Sequence, residues 1–322
     1  MSNILKWGRK QFDQATQPSQ PLFLRRYDTK TRFALVGTVG AGKTTICANL
    51  LITAHTKSND EPNFYCRVIE HKSNIRVAAS NLRRGVFPPK TVPTGNSTYE
   101  SGLELTWRGV LGEKHVHIPI VDVAGEDIQY MLESYNMGET PSHSINYQRL
   151  KDLVQYIKES EGFIIALPAP RAFVGNSQIE PEPEDLAADP DVNLSRLLEQ
   201  IINYKRSHGG KAIKFVLVVI TKYDLFQDYA IKNGMNLYQQ GGIEIFMQTF
   251  FPDTNMQLKY LKDKGLVKFY PSYVSLEYDE DGKMLTWNDG TPRVARDPKK
   301  NKPKYAESAY MQMFKDLEPF AN

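Results

Sequence analysis

The sequence predicts an α/β protein: a mostly parallel sheet with helices on both faces, three layers in all, and one antiparallel edge strand. Three observations carry this reading. Short apolar runs alternate with helix-competent stretches over most of residues 32–275. Two of those runs, residues 163–167 and 215–220, are continuously apolar, as strands buried on both faces must be. A link at 108–114 with two glycines joins two strand-like runs, the pattern of a β-hairpin.

The elements follow in order. Residues 1–30 read as an N-terminal extension. Ile4, Leu5, Trp7 and Phe12 give a short helix one apolar stripe beside Lys6, Arg9 and Lys10, and Pro18 and Pro21 end it. Residues 33–36 are an apolar strand running into glycines, and 44–54 continue as a helix. Residues 64–69 form a second strand, 75–84 a helix or turn, and 91–101, rich in Thr, Gly, Ser and Pro, a loop. Residues 103–107 and 116–123 are the hairpin strands, and 150–159 are helical. Residues 176–191 hold six acids and no base and read as an exposed loop. Leu194, Leu197, Leu198 and Ile201 space a helix over 194–204. After the strand at 215–220, helices are expected at 243–250 and 256–262 and a strand at 267–274. Asp281-Gly282 and Asp289-Gly290 mark hairpin turns, residues 293–304 carry six bases against one acid, and 306–317 close as a helix. The expected division is an extension at 1–30, a main domain at 31–276 with insertions, and a hairpin and helix at 277–322 packed on it or appended to it.

Composition bounds the function. The chain has 322 residues, 41% hydrophobic and 24% charged, enough to bury a core without staples. Its net charge of +3 gives no global field for nucleic acid, and none is expected as a partner. Cys47 and Cys66 are too few for a disulfide framework or a zinc site. No apolar run approaches the ~20 residues of a membrane helix, and the N-terminus lacks a secretory core, so a cytoplasmic location is expected.

Three motifs carry chemistry. Gly37-Thr38-Val39-Gly40-Ala41-Gly42-Lys43-Thr44 fits the phosphate-loop pattern GxxxxGK[ST], between an apolar strand and a helix. Glycines let backbone amides turn inward as an anion nest, Lys43 reaches the β- and γ-phosphates, and Thr44 places its hydroxyl on Mg²⁺. Thr45, next on the helix, completes the residues expected at the phosphates. Asp122-Val-Ala-Gly125 fits DxxG behind a strand, with Asp122 holding Mg²⁺ through water and the Gly125 amide meeting the γ-phosphate. Thr221-Lys222-Tyr223-Asp224 follows the clearest buried strand. Guanine, unlike adenine, offers N1–H and N2–H together, and a carboxylate such as Asp224 accepts both. The Lys222 stem then lies over the base.

In these motifs and their order the chain resembles the P-loop GTPases of the TRAFAC class, Ras-like, over roughly residues 32–276. The family's NKxD stands here as TKYD. The resemblance implies a three-layer P-loop NTPase fold, GTP or GDP with Mg²⁺ as ligands, and slow hydrolysis. It also implies two mobile switch loops that meet an effector or regulator protein. It implies a switch threonine over Mg²⁺ and the γ-phosphate, for which Thr91 is favoured, then Thr94. It implies a base-contacting amide, given to Ser275. Two positions depart from the family. Glu126 follows DxxG where Gln is usual, and either orients water or is a surface acid. Val39 stands where Ras has Gly and crowds a trans arginine, so slow intrinsic turnover is expected. Three alternatives stay open, a P-loop ATPase, a GTP-dependent binding module with negligible hydrolysis, and a scaffold that has lost nucleotide binding.

Lesser candidates are weighed against blander roles. Arg83 and Arg84 precede the switch threonine and either act in cis on the phosphates or cap a solvated helix end. His115 and His117 share a strand face and read as surface histidines, and Cys47 and Trp107 as core. The N-terminal helix and the basic segment 293–304 are candidates for peripheral membrane contact.

Overall fold

The computed structural model describes residues 31–38, 40–69, 74–88, 101–110, 112–120, 155–170, 190–299 and 302–321. Its frame is a seven-stranded sheet in the order β2-β3-β4-β1-β5-β6-β7. The strands are β1 (Thr31–Gly37), β2 (Phe64–Ile69), β3 (Ser101–Gly109), β4 (Gly112–Ile120), β5 (Gly162–Pro168), β6 (Phe215–Thr221) and β7 (Val267–Pro271). From β4 through β1, β5 and β6 to β7, neighbours pair in parallel. β3 runs against both β2 and β4, which makes that edge antiparallel. The expected hairpin is present, with its strands extended to the Gly109–Gly112 pair.

Alternation along β1 creates two cores. Phe33 and Leu35 face one cluster, which holds α1 (Lys43–Asp60) and α2 (Asn74–Arg83). Ala34 and Val36 face the other, built on α3 (Pro190–Ser207), α4 (Gln227–Lys232), α5 (Gln240–Phe250) and α6 (Pro252–Asp263). Close packing is enforced at Gly162, where a β-carbon would lie 2.2 Å from the Phe33 ring.

The C-terminal segment belongs to the first core. On α7 (Glu307–Leu317), Tyr310, Met313, Phe314 and Leu317 recur at helical spacing and are all fully buried. Each contributes roughly 1.5–3 kcal/mol by removal from water. Between β7 and α7, the two expected turns form at Gly282 and Gly290, both left-handed at φ 78° and 79°. The segments they join close into a triangle of backbone bonds. The Glu277 amide donates to Arg293, Arg293 to Leu285, and Leu285 to Glu277. A second triangle joins Ser275 to Lys304, Lys304 to Ala295, and Ala295 to Ser275. The short strands β8 (Arg296–Asp297) and β9 (Lys302–Pro303) flank it.

Two expectations change. The acidic stretch at 176–191 does not end as loop: Pro190 and Asp191 open α3, and Asp191 is buried. Its carboxylate accepts the Asp253 and Thr254 amides at 2.9 and 2.8 Å, capping the start of α6. The basic stretch is built into the fold. The Arg293 guanidinium lies 4.7 Å from the centre of the Trp287 ring, and Lys302 pairs with Glu307 at 2.7 Å. Residues 1–30, with their expected helix, lie outside the described residues. Among the described residues no helix is long and apolar enough to cross a membrane.

Candidate functional site

The site lies at the C-terminal edge of the parallel strands. The register sets Gly37 opposite Ala166, and Pro168 opposite Thr221, so β1, β5 and β6 end level there. Loops at such an edge are where open α/β sheets bind ligands. β4 runs parallel to β1 toward the same edge, and its described part ends at Ile120.

The phosphate loop forms as its glycines require. Gly37 has no room for a side chain, since a β-carbon would sit 2.7 Å from the Ala166 carbonyl. Gly40 and Gly42 take left-handed φ values of 71° and 82°. Gly42 then caps α1, whose first turn holds no acid and no side-chain cap bond. Its leading amides and the positive end of its dipole therefore suit an anion. The Lys43 ammonium donates to the Gly37 and Thr38 carbonyls at 3.0 Å each, which anchors it on the loop. Thr44 and Thr45 follow in the first turn, half-buried.

The second motif is held against the first. The Thr221 hydroxyl donates to the Ala41 carbonyl at 3.0 Å. Lys222 stands at φ 59°, the one non-glycine residue in the left-handed region among those described. That conformation costs on the order of 1–2 kcal/mol for a side-chain-bearing residue. It turns the chain so that Tyr223 buries in the core and Asp224, partly buried, stands at the rim. Burial pushes the Asp224 carboxyl up to about 6. The Leu225 and Asp224 amides and the Lys304 ammonium hold it from rising further. Burial and then the Asp224 charge raise the phenols of Tyr273 and Tyr278. These rings and Lys304 thus lie within electrostatic reach of Asp224.

Ser275 departs from its expected role. Its amide donates to the Lys304 carbonyl at 2.9 Å, so it is committed to the fold and not to a base. Arg83 takes the blander of its two expected roles, exposed at the end of α2. It meets His55 Nδ1 at 2.6 Å, twelve residues along α1 from Lys43. At 1.5 Å rise per residue that is roughly 18 Å from the phosphate loop. Burial, then Arg83 and Arg76, lowers the pKa of His55. His117 is buried in the sheet opposite Glu104, not on the surface. Cys47 and Trp107 are core, as expected. Val39, Thr91, Thr94, Asp122, Gly125 and Glu126 lie outside the described residues. Among the described residues no group of three His, Cys, Asp or Glu gathers for a metal.

Sequence reasoning missed a buried chain of hydroxyls beneath the site. The Tyr310 hydroxyl meets Asn49 on α1 at 3.3 Å and Ser272 beyond β7 at 2.5 Å. The Ser272 carbonyl accepts the Tyr223 amide at 3.1 Å. A lone Tyr on a helical stripe reads as core, and nothing local signals partners 261 and 38 residues away.

The fold and site define a class, a three-layer α/β protein with a glycine-rich GxxxxGKT segment at the C-terminal sheet edge. No protein-family model matches the sequence, and no curated protein sequence matches it. Among solved structures the chain is similar to sup35 complexed with GDP, at 12% identity and a TM-score of 0.30, covering 83% of this chain and 45% of that one. It is also similar to the signal recognition particle receptor SRb-GTP/SRX complex from Chaetomium thermophilum, at 14% identity and a TM-score of 0.30, covering 73% of this chain and 83% of that one. The chain thus spans under half the length of the first.

Proposed function

We propose that this protein binds guanine nucleotide, hydrolyses GTP slowly to GDP and phosphate, and acts as a molecular switch toward an effector or regulator protein. The observation that supports this best is the Thr221–Ala41 bond, which sets the phosphate loop and the TKYD turn side by side. Nothing in a generic strand end requires that pairing, whereas one nucleotide spans both motifs.

In this reading the loop amides and Lys43 stabilise charge on the transferring phosphoryl group. Asp224 selects guanine, and Lys222 covers the base. Thr44 would hold Mg²⁺ with Asp122 and Thr91, where the ion neutralises phosphate charge. Thr91 and Gly125 would sense the γ-phosphate and order the switch loops. Glu126 either orients the attacking water, with its charge set against the anionic phosphate, or is a surface acid, and together with Val39 it is the basis for expecting slow turnover.

Competition binding on the wild type and Asp224→Ala tests the reading. GDP and GTP should bind, ADP and ATP should bind far more weakly, and Asp224→Ala should erase that preference. Equal ATP and GTP affinity in the wild type overturns the guanine assignment. Lys43→Ala should cost roughly 10- to 100-fold in GTP affinity, as for hydrogen bonds to charged groups.

A further inference from the structure

The base-recognition turn is walled by chain that lies more than forty residues beyond it in sequence. The Ser272 amide donates to Ile220 at 2.7 Å and its carbonyl accepts Tyr223, so residues 272–275 run alongside the turn. Val274 bridges Tyr305, and the Ser275–Lys304–Ala295 triangle fixes the Lys304 backbone at one corner. Its amide donates to Ala295 at 2.8 Å and its carbonyl accepts Ser275 at 2.9 Å, while the residue itself is exposed. The backbone thus sets the position of Lys304 and leaves its side chain at the surface.

A carboxylate that accepts N1–H and N2–H from guanine leaves the O6 edge, an acceptor, unmet. The Ser275 amide, engaged with Lys304, does not supply that donor. We propose that Lys304, delivered to the rim of the TKYD turn by the C-terminal triangle, donates to O6 of the bound guanine opposite Asp224 and is a specificity-determining residue. This rests on the guanine reading given above. The same ammonium faces the N6 amino group of adenine donor to donor, so it both favours guanine and rejects adenine. The influence of Lys304 on the Asp224 carboxyl, and of Asp224 on Tyr273 and Tyr278, places these groups within electrostatic reach of one another.

The test is calorimetric titration of the full chain, as wild type, Lys304→Met and Lys304→Arg. The probes are GDP, ADP and 6-thio-GDP, whose sulfur accepts hydrogen bonds poorly. Lys304→Met should weaken GDP roughly tenfold, the low end for a hydrogen bond to a charged donor. It should leave 6-thio-GDP nearly unchanged, and Lys304→Arg should retain most of the GDP affinity. An unchanged melting temperature in Lys304→Met shows that the triangle persists. If wild type prefers GDP to ADP and Lys304→Met binds GDP as well as wild type, the role of Lys304 is overturned and the guanine reading stands. Equal weakening of GDP and 6-thio-GDP also overturns it, since general attraction then suffices. If wild type shows no preference for GDP, the guanine reading itself fails, and the Lys304 proposal with it.

Discussion

The Thr221 hydroxyl donates to the Ala41 carbonyl at 3.0 Å across 180 residues of sequence. It fastens the end of β6, which carries the TKYD turn, to the loop that precedes Lys43. Both residues are buried, so neither partner turns to water when the bond is lost. Thr221→Val keeps the shape, removes the donor and leaves the Ala41 carbonyl short of a partner. The expected cost is about 1–3 kcal/mol in urea unfolding. Nucleotide affinity should fall as well, because the loop loses its brace. An affinity equal to wild type in a destabilised variant counts against coupling of the two motifs through this bond.

Asp224 gives the site a pH dependence. Burial raises its carboxyl from 3.8 to about 6 in the folded protein. The groups facing it are Lys304, Tyr273, Tyr278 and the backbone amides of its own turn. Between about pH 4 and 6 the folded state binds a proton that the unfolded chain has released. The contribution of this group to stability is thus full at low pH and is lost as pH rises through 6. On the proposed guanine reading, binding runs the other way, since only the ionised carboxylate accepts both donors. GDP affinity should drop as pH falls from 7 to 5, approaching tenfold per unit once below the folded pKa. Asp224→Asn should flatten that profile, and a wild-type profile as flat as the variant's rules out Asp224 as the base contact.

Much of the scaffold is legible in the sequence. Runs such as 163–167 and 215–220 identify their strands because a strand buried on both faces has no polar alternation to confuse it. The phosphate loop is legible because its φ > 0 positions demand glycine at fixed spacing. What is not legible depends on contacts far apart in sequence. The Ser275 amide looks available until Lys304 is brought to it, and Asp191 looks like one acid in an acidic loop until the start of α6 is folded over it. The same holds for α7, whose stripe shows that it packs but not against what.

Lys205 is a buried charge with a structural task. Its ammonium donates to the carbonyls of Ile157, Lys158 and Ser160 at 3.1, 2.9 and 2.7 Å, closing the end of the helical residues 155–159. Burial lowers its pKa from 10.5 to about 8, against the pull of Glu159 and Glu161. Between those values the unfolded chain holds a proton the folded state has shed, so this contribution grows more stabilising as pH rises from 8 to 10.5. Lys205→Met should destabilise by about 1–3 kcal/mol, since its carbonyl partners lose their donor. The stability gap between wild type and variant should widen from pH 8 to pH 10. A gap that narrows contradicts the stated shift.

Tyr310 tests whether the C-terminal helix is part of the site's support. Its ring fills the first core, and its hydroxyl joins Asn49 of the phosphate-loop helix to Ser272 beside the TKYD turn. Tyr310→Phe keeps the ring and removes only the hydroxyl, leaving the buried Asn49 and Ser272 short of one partner each. The expected loss is about 1–2 kcal/mol, less than for an ion pair and more than for a surface hydroxyl. Deleting residues 307–322 is far harsher, because it uncovers the partners of Met313, Phe314 and Leu317 along α1 and the sheet. That truncation should give no cooperative thermal transition. A truncated chain that melts near the wild-type temperature shows instead that α7 is dispensable to the core. Tyr310→Phe with unchanged stability but weakened nucleotide affinity assigns the hydroxyl to positioning alone.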